Sequence, residues 1–310
     1  TRLVPTNWSF WPNGLPGPDI EYGDNPVVTS TFQGGKNDQK TYRLLSSFNT
    51  TLTIPFVEGL SLNGIFSYDL TNYYQKAFYK PWVLYYPNWD EAVIDPHTGF
   101  VTDMPMKPTL RGLSSPQNTE RFDRTINKTI NLGVTYTRKF YDHNIFVYGG
   151  FEQFTNDYNW FRGFRELYIS SLIQTMNAGA DLNKNTDGEA SIYARKSYIG
   201  RVTYDFRGKY LAEALFRADG SLKFPPSSRW GYFPGFMAGW RASEEGFWRD
   251  NIPFINYFKL RASWGKMGMD PGTAFQYMNS FGLGGGMSFG TSAAIESVVG
   301  PPTIANPNIT

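Results

Sequence analysis

From Tyr42 onward the chain alternates. Leu44, Phe48, Leu52, Ile54 and Phe56 share one parity, and Arg43, Ser47, Asn49, Thr51 and Thr53 share the other. A period of two marks a strand with one apolar and one polar face. After Val57-Glu58-Gly59 the pattern resumes, with Leu60, Leu62, Phe66, Tyr68 and Leu70 against Ser61, Asn63, Ser67 and Asp69. A third run sets Ile126, Ile130, Leu132, Val134 and Tyr136 against Thr125, Asn127, Thr129, Asn131 and Thr135. A fourth, near Ile145 to Thr155, is apolar on both sides, so periodicity leaves it unoriented. Tyr198, Val202, Tyr204 and Phe206 form a fifth. It turns at Arg207-Gly208-Lys209 into a sixth carrying Tyr210, Ala212, Ala214 and Phe216. Gly208 suits the positive φ of a tight hairpin connection. Tyr232, Phe236, Ala238 and Trp240 make a seventh strand; Phe258, Leu260, Ala262 and Trp264, against Lys259, Arg261 and Ser263, make an eighth.

The connections are lopsided. Val57 to Gly59, Tyr141 to Asn144 and Arg207 to Lys209 are short, whereas Asn72 to Arg124 and Asn156 to Lys196 are long. Counted alternately, the long loops fall at one end of the sheet and the short turns at the other. Ala242 to Asn256 is the exception at the short-turn end. There Ser243-Glu244-Glu245 resembles a helix N-terminus with its acids well placed on the dipole. A second helix is expected inside the long loop, around Phe164 to Met176.

Composition changes the picture in two ways. The 25 Phe, 20 Tyr and 9 Trp are an unusual load for a chain whose mean hydropathy is nevertheless polar. Strands that bury only one face average out in this way, whether in water or in a bilayer. A formal net charge of +2 gives no basis for nucleic-acid binding. The absence of cysteine removes disulfides, thiolate zinc sites and cysteine catalysis, and no apolar run is long enough for a spanning helix. No export signal is visible at Thr1, and the chain has the look of an excerpt from a longer precursor.

The alternating runs are long. Tyr42 to Phe56 and Ser197 to Phe206 match or exceed the roughly 9–11 residues with which a tilted strand crosses a bilayer; soluble strands centre on about 5–6. Short turns at one end and long loops at the other match outer-membrane barrels. Aromatics near strand ends, among them Tyr42, Phe56, Tyr136, Tyr198, Tyr210, Trp240 and Trp264, suit interfacial girdles. Lys128 is a misfit on the apolar parity, expected near the loop-side end of its strand, where its stem can snorkel. The expectation is an all-β, antiparallel transmembrane β-barrel wall. Its apolar face meets lipid, and Arg201, Asp205, Glu213, Arg217 and Arg261 face the lumen.

Specific segments carry a family resemblance. "GRVTYDFRGKYLAEALFRADGSLKF" from Gly200, "RWGYFPGFMAGWRASEEGFW" and "FKLRASWGKMGMD" resemble the C-terminal half of SusC/RagA-type TonB-dependent outer-membrane transporters of Bacteroidetes. "YRLLSSFNTTLTIPFVEGLSLNGIFSYD" from Tyr42 and the closing "NPNIT" from Asn306 fit the same pattern. The resemblance implies a partial barrel, about eight strands of the 22 in such transporters, closed in the whole protein by a plug. It implies import of a glycan or peptide powered through TonB, with a SusD-like surface lipoprotein as lid. By the same resemblance, residues 1–41 form an outer loop and barrel entry, 42–265 the barrel segment, and 266–310 an outer loop leading to a further strand. Departures are confined to loop details: Ala218 where members often carry a second basic residue, Ser221-Leu222-Lys223-Phe224 for "SSRF", Pro225-Pro226, and Met267 and Met269 after the last strand.

Other chemistry is sparse. His97 and His143 lack the partners a metal site requires and are expected as solvent-exposed turn residues. Asp219-Gly-Ser and Asp95-Pro-His-Thr-Gly are turn chemistry. The glycine-rich Gly282 to Gly290 lacks the lysine and the strand-helix context of a phosphate cradle. Carboxylate pairing for glycoside hydrolysis stays open from sequence alone, although Glu244-Glu245 lies at the short-turn end. No catalytic residue, metal ligand or cofactor is nominated. In the aromatic loop Phe78 to Glu91, Trp82, Tyr85, Tyr86 and Trp89 are candidates to stack on a cargo, with Asp90 and Glu91 accepting hydrogen bonds. The alternative is that these rings pack the loop itself or contact the lid. Two rival functions remain: a self-contained eight-stranded outer-membrane barrel acting as an adhesin or structural protein, and a soluble all-β carbohydrate-binding module or hydrolase.

Overall fold

The structure is a computed structural model describing residues 9–19, 25–31, 33–289 and 294–305. The "NPNIT" match from Asn306, like Gly290 of the glycine-rich stretch, lies outside the described residues. Among the described residues, fourteen strands and two short helices follow one another. Helix α1 (Pro26–Thr29) is followed by β1 (Gly35–Thr53) and β2 (Leu60–Tyr79). Then come four short strands, β3 (Trp82–Pro87), β4 (Val93–Ile94), β5 (Val101–Asp103) and β6 (Met106–Arg111). The long strands β7 (Gln117–Phe140), β8 (His143–Glu166), β9 (Asn185–Phe206), β10 (Tyr210–Ser221) and β11 (Trp230–Trp240) come next. Helix α2 (Gly246–Asn251), β12 (Leu260–Gly265), β13 (Ser280–Phe289) and β14 (Ala294–Thr303) complete the order.

The eight strands expected from the alternation are one sheet, in the order β1-β2-β7-β8-β9-β10-β11-β12. Every neighbour is the next long strand in the chain, so the sheet is a meander, and β1 and β12 are its two edges. Strands β3 with β6, β4 with β5 and β13 with β14 form separate two-stranded ribbons.

Most long strands outrun their sequence pattern. Strand β2 continues to Tyr79 and β7 begins at Gln117, so much of the expected loop from Asn72 to Arg124 is strand. Strands β8 and β9 likewise take up both ends of the expected loop from Asn156 to Lys196, and β1 starts at Gly35 rather than Tyr42. The expected helix around Phe164 to Met176 does not form: β8 runs to Glu166, and one 3-10 turn spans Met176–Ala178. The expected helix at Ser243 starts later. A 3-10 turn covers Ala242–Glu244, and α2 follows with Glu245 at its N-cap, where its side chain makes no capping bond.

The turns show why these residues stand where they do. Arg207 and Gly208 both take positive φ, 55° and 66°, the geometry of the turn that matches strand twist. Gly59 has φ +83°, and a Cβ there would lie 1.8 Å from the Thr137 carbonyl oxygen, so the Val57-Glu58-Gly59 turn requires glycine. Its close approach is a bond: Thr137 N donates to Gly59 O at 2.8 Å.

The chain divides into two compact units. One comprises Thr1–Arg43, Thr71–Arg124 and Asn159–Ala190. Its small core gathers Val28, Trp82 and Leu84, with Tyr86 packed against them. Buried Asn25 accepts from Val28 N through Oδ1 and donates Nδ2 to the carbonyls of Ser9 and Pro18. With Pro26 next to it, Asn25 starts α1 in the manner these two residue types favour. Phe78 meets Tyr168 edge-to-face at 5.2 Å.

The other unit comprises Leu44–Leu70, Thr125–Tyr158 and Ser191–Thr310, and it is a sheet with almost no interior. Its apolar parity is open: Phe48 is 69%, Phe236 57% and Trp264 63% exposed. Rings on this face line up across strands, Phe216 against Tyr232 at 6.2 Å and Phe236 against Trp264 at 6.1 Å. No second sheet within the unit covers them among the described residues. A soluble protein rarely leaves so continuous an apolar surface to water. No helix among the described residues is long and apolar enough to cross a membrane, which has no bearing on crossing by strands.

Candidate functional site

Pairing register decides which side chains share a face. Strand β10 sets Glu213 opposite Thr203 and Met237, and Leu215 opposite Arg201 and Gly235. Asp205 pairs with Leu211, Arg217 with Ile199 and Phe233, and Arg261 with Gly239. Arg201, Asp205, Glu213, Arg217 and Arg261 therefore lie on one face, opposite to Val202, Ala214, Phe236 and Trp264.

Four of these five charges have partners, but only two of them pair with each other. Arg201 Nε and Glu213 Oε1 pair at 2.9 Å across β9 and β10. Arg217 Nε lies 2.8 Å from each oxygen of Asp219, while its Nη2 donates to Ser197 Oγ and reaches Glu152 at 3.6 Å. Asp205 acts locally instead, its Oδ1 accepting from Gly208 N at 2.6 Å and tying down the hairpin turn. Such partly exposed pairs contribute about 0–1 kcal/mol each, so they order the face more than they stabilise the fold.

Strand β8, which periodicity leaves unoriented, is settled by Glu152. Its carboxylate meets Arg195 Nη2 at 3.2 Å as well as Arg217, placing its even positions on the polar face. Asn156 agrees, donating to Asn127 Oδ1 at 2.7 Å. The odd positions join the apolar face, where Phe151 contacts Tyr198 at 5.5 Å.

At the long-loop end the polar face holds a cluster that the alternation does not foretell. Tyr193 OH and Ser221 Oγ both donate to Asp270 Oδ2 at 2.9 Å. Lys223 Nζ donates to the Asp270 carbonyl oxygen at 2.6 Å and lies 3.9 Å from its carboxylate. Burial would raise the Asp270 pKa, but the two hydroxyl bonds and the Lys223 charge outweigh it and hold the carboxyl below its ordinary value. Sequence spacing carries no sign of this, because the four residues come from β9, β10, the β10–β11 connection and the segment after β12.

The short-turn end has its own hub. Glu245 Oε1 accepts from Tyr210 OH at 2.7 Å and Trp240 Nε1 at 3.2 Å, and Oε2 pairs with Lys209 Nζ at 3.0 Å. This carboxylate fastens the start of α2 to the β9–β10 hairpin.

The aromatic loop splits its six candidates. Trp82 is 8% exposed and Tyr86 packs against the same small core. The Tyr86 hydroxyl accepts from Arg111 Nη2 at 2.7 Å and from Asp19 N at 3.4 Å. A Cβ on Gly112 would come within 2.6 Å of Trp82 Nε1, so that ring is closely held. Tyr85 alternates to the other side of β3, where its carbonyl accepts from Trp11 Nε1 at 2.7 Å. Trp89, Asp90 and Glu91 stand exposed on a 3-10 turn. The six do not form one continuous surface.

His97 is an exposed turn residue; Asp95 binds His97 N and Thr98 Oγ1 and closes that turn. His143 is not a free turn residue: its Nδ1 lies 2.7 Å from Tyr204 OH, and its ring packs between Phe140 and Phe206. Among the described residues no three His, Asp or Glu side chains gather as a metal site would require.

Comparison with known proteins gives consistent results. No protein-family model matches the chain. A stretch of 98 residues is 42% identical to TonB-dependent receptor P39 of Formosa agariphila, covering 31% of this chain and 9% of that receptor. TonB-dependent receptor SusC of Bacteroides thetaiotaomicron is 37% identical over 95 residues, 29% of this chain and 9% of that one. TonB-dependent receptor P3 of Formosa agariphila is 24% identical over 254 residues, 81% of this chain and 22% of its own length. Among solved structures, the RagAB peptide transporter superposes with a TM-score of 0.69 at 16% identity, covering 96% of this chain and 30% of that one. The chain thus spans less than a third of the proteins it matches. The named relatives are receptors, not enzymes.

Proposed function

We propose, for a chain that belongs to the SusC/RagA-type TonB-dependent receptors, that it forms part of the barrel wall of an outer-membrane importer of oligomeric nutrients. The observation that carries this reading is the single-layered meander with an open apolar face of stacked rings on one side and paired charges on the other. Hydrocarbon is the solvent that such rings require, and the opposite face then lines a wet lumen. Cargo would be a glycan or a peptide. A SusD-like lipoprotein would cover the outer loops, with Tyr85, Trp89 and Asp90 as contacts for cargo or lid, and TonB would act through parts of the protein beyond this chain. Residues 42–265 are the wall, with 1–41 and 266–310 as flanking outer segments.

The rival readings fit less well. A self-contained eight-stranded barrel would pair its first and last strands, whereas β1 and β12 are the edges here. A soluble module would bury the apolar parity between layers. The test is uptake of labelled oligosaccharide and peptide libraries by cells carrying the whole protein together with a SusD-like lipoprotein. Import should stop when TonB is deleted or the proton gradient is collapsed. Uptake indifferent to both treatments would refute active import.

A further inference from the structure

A pocket of about 480 Å³ opens on the polar face beside the Asp270 cluster, between β10, β11 and the segment that follows β12. Its apolar lining includes Phe233. That ring lies where a Cβ on Gly231 or on Gly268 would come within 2.7 Å or 2.4 Å of it, so two glycines from separate segments admit it.

The charges around this pocket do not balance. Asp219 is fully engaged by Arg217, and Asp270 by Tyr193, Ser221 and Lys223. Glu152 is shared between Arg195 and Arg217. Two further cations line the pocket without a carboxylate. Among the described residues, the Arg229 side chain donates only to the Phe224 carbonyl, at 3.3 Å, and Lys266 has no acidic partner. Arg195 adds a buried Nε with no acceptor among them. Five cations thus face three carboxylates, all three already bound.

We propose that this pocket is a carboxylate-binding subsite that selects acidic oligomers as cargo. The inference rests on the import reading above, and it narrows the cargo to chains bearing carboxylates, either acidic side chains of a peptide or uronic acids of a glycan. Arg229 and Lys266 supply the attraction. Phe233 takes the adjoining apolar surface and thins the water around the charges, which strengthens the attraction.

The test uses the full-length transporter in detergent and titrates it calorimetrically with two matched pairs. Tetraglutamate is compared with tetraglutamine, and trigalacturonate with its methyl ester. At least one acidic probe should bind ten-fold or more tightly than its neutral partner, and the pair that does so identifies the source. Arg229→Gln with Lys266→Gln should cut that preference at least five-fold and leave neutral binding unchanged. Retention of the heat-modifiable folded form controls for misfolding. If the double variant fails that control, Lys266→Gln alone, at an exposed position, should reduce the preference two- to three-fold. Equal binding of acidic and neutral probes, or variants with the parent preference, overturns the subsite. Loss of acid preference with TonB-dependent uptake intact would remove this inference alone. Acid preference without energised uptake would remove the import reading alone.

Discussion

Glu245 is the residue on which the short-turn end depends. Hydrogen bonds from Tyr210, then Lys209 and Trp240, hold its carboxyl at about 2, below the ordinary 4.5. A depressed pKa means that the ionised form is the one the folded turn prefers. Its contribution is therefore complete above pH 4.5 and is lost as the pH falls through about 2. Fluorescence of Trp240 and Trp248, the first bonded to the Glu245 carboxylate and the second to its backbone carbonyl, should change between pH 5 and pH 2 in the parent protein. Glu245→Gln keeps the shape but removes the charge, so its emission should already resemble the acid form at pH 7 and vary little with pH. A variant that retained the full acid transition would show that another group fastens α2. Nothing in the Ser243-Glu244-Glu245 spacing distinguishes a helix-dipole acid from a three-donor latch. The partners lie on β10, β11 and the β9–β10 turn, and only the hairpin register brings them together.

The face assignment belongs to the strand, and β10 offers the sharpest test because neighbouring residues look in opposite directions. Ala214 sits between Val202 and Phe236 on the apolar face, Leu215 between Arg201 and Gly235 on the polar one. Arginine near the bilayer midplane on the lipid side costs about 2–4 kcal/mol, whereas lumen positions tolerate charge. Ala214→Arg should therefore lower stability by that amount in urea titrations of protein folded into vesicles, and Leu215→Arg should be close to neutral. The reverse ranking would exchange the two faces. For the eight strands of the main sheet, existence and, except in β8, parity were legible in the sequence, because hydrocarbon enforces a period of two wherever a strand crosses it. Strand length was not. In Gln117–Arg124 of β7 and Asn185–Ala190 of β9 both faces carry polar residues, so no alternation marks them although the ladder continues. Lys128 follows from the same point: it lies mid-strand, yet, counted back from Phe140, it is beyond the roughly 9–11 residues that cross a bilayer. Strand β8 was unreadable for the opposite reason, since aromatic side chains on both parities hid an orientation that the contacts of Glu152 and Asn156 reveal.

For the whole molecule, what matters is that the sheet has edges. Strands β1 and β12 each offer an unpaired row of backbone donors and acceptors. In hydrocarbon such groups cost several kcal/mol apiece unless another strand satisfies them, which is why membrane sheets close. Eight strands would suffice for closure of a small barrel, but β1 and β12 do not pair here, and on the proposed importer reading closure comes from strands of a longer chain. The 310-residue piece and the full-length protein should therefore behave differently in the same assay. Refolded from urea into vesicles, the full-length protein should migrate anomalously on unheated gels and resist trypsin, as a closed barrel does. The piece alone should do neither, and in detergent-free buffer it should precipitate through its open edges and exposed rings. If the piece alone gave a compact, protease-resistant band, β1 and β12 would have to meet, and the small self-contained barrel would replace the importer wall.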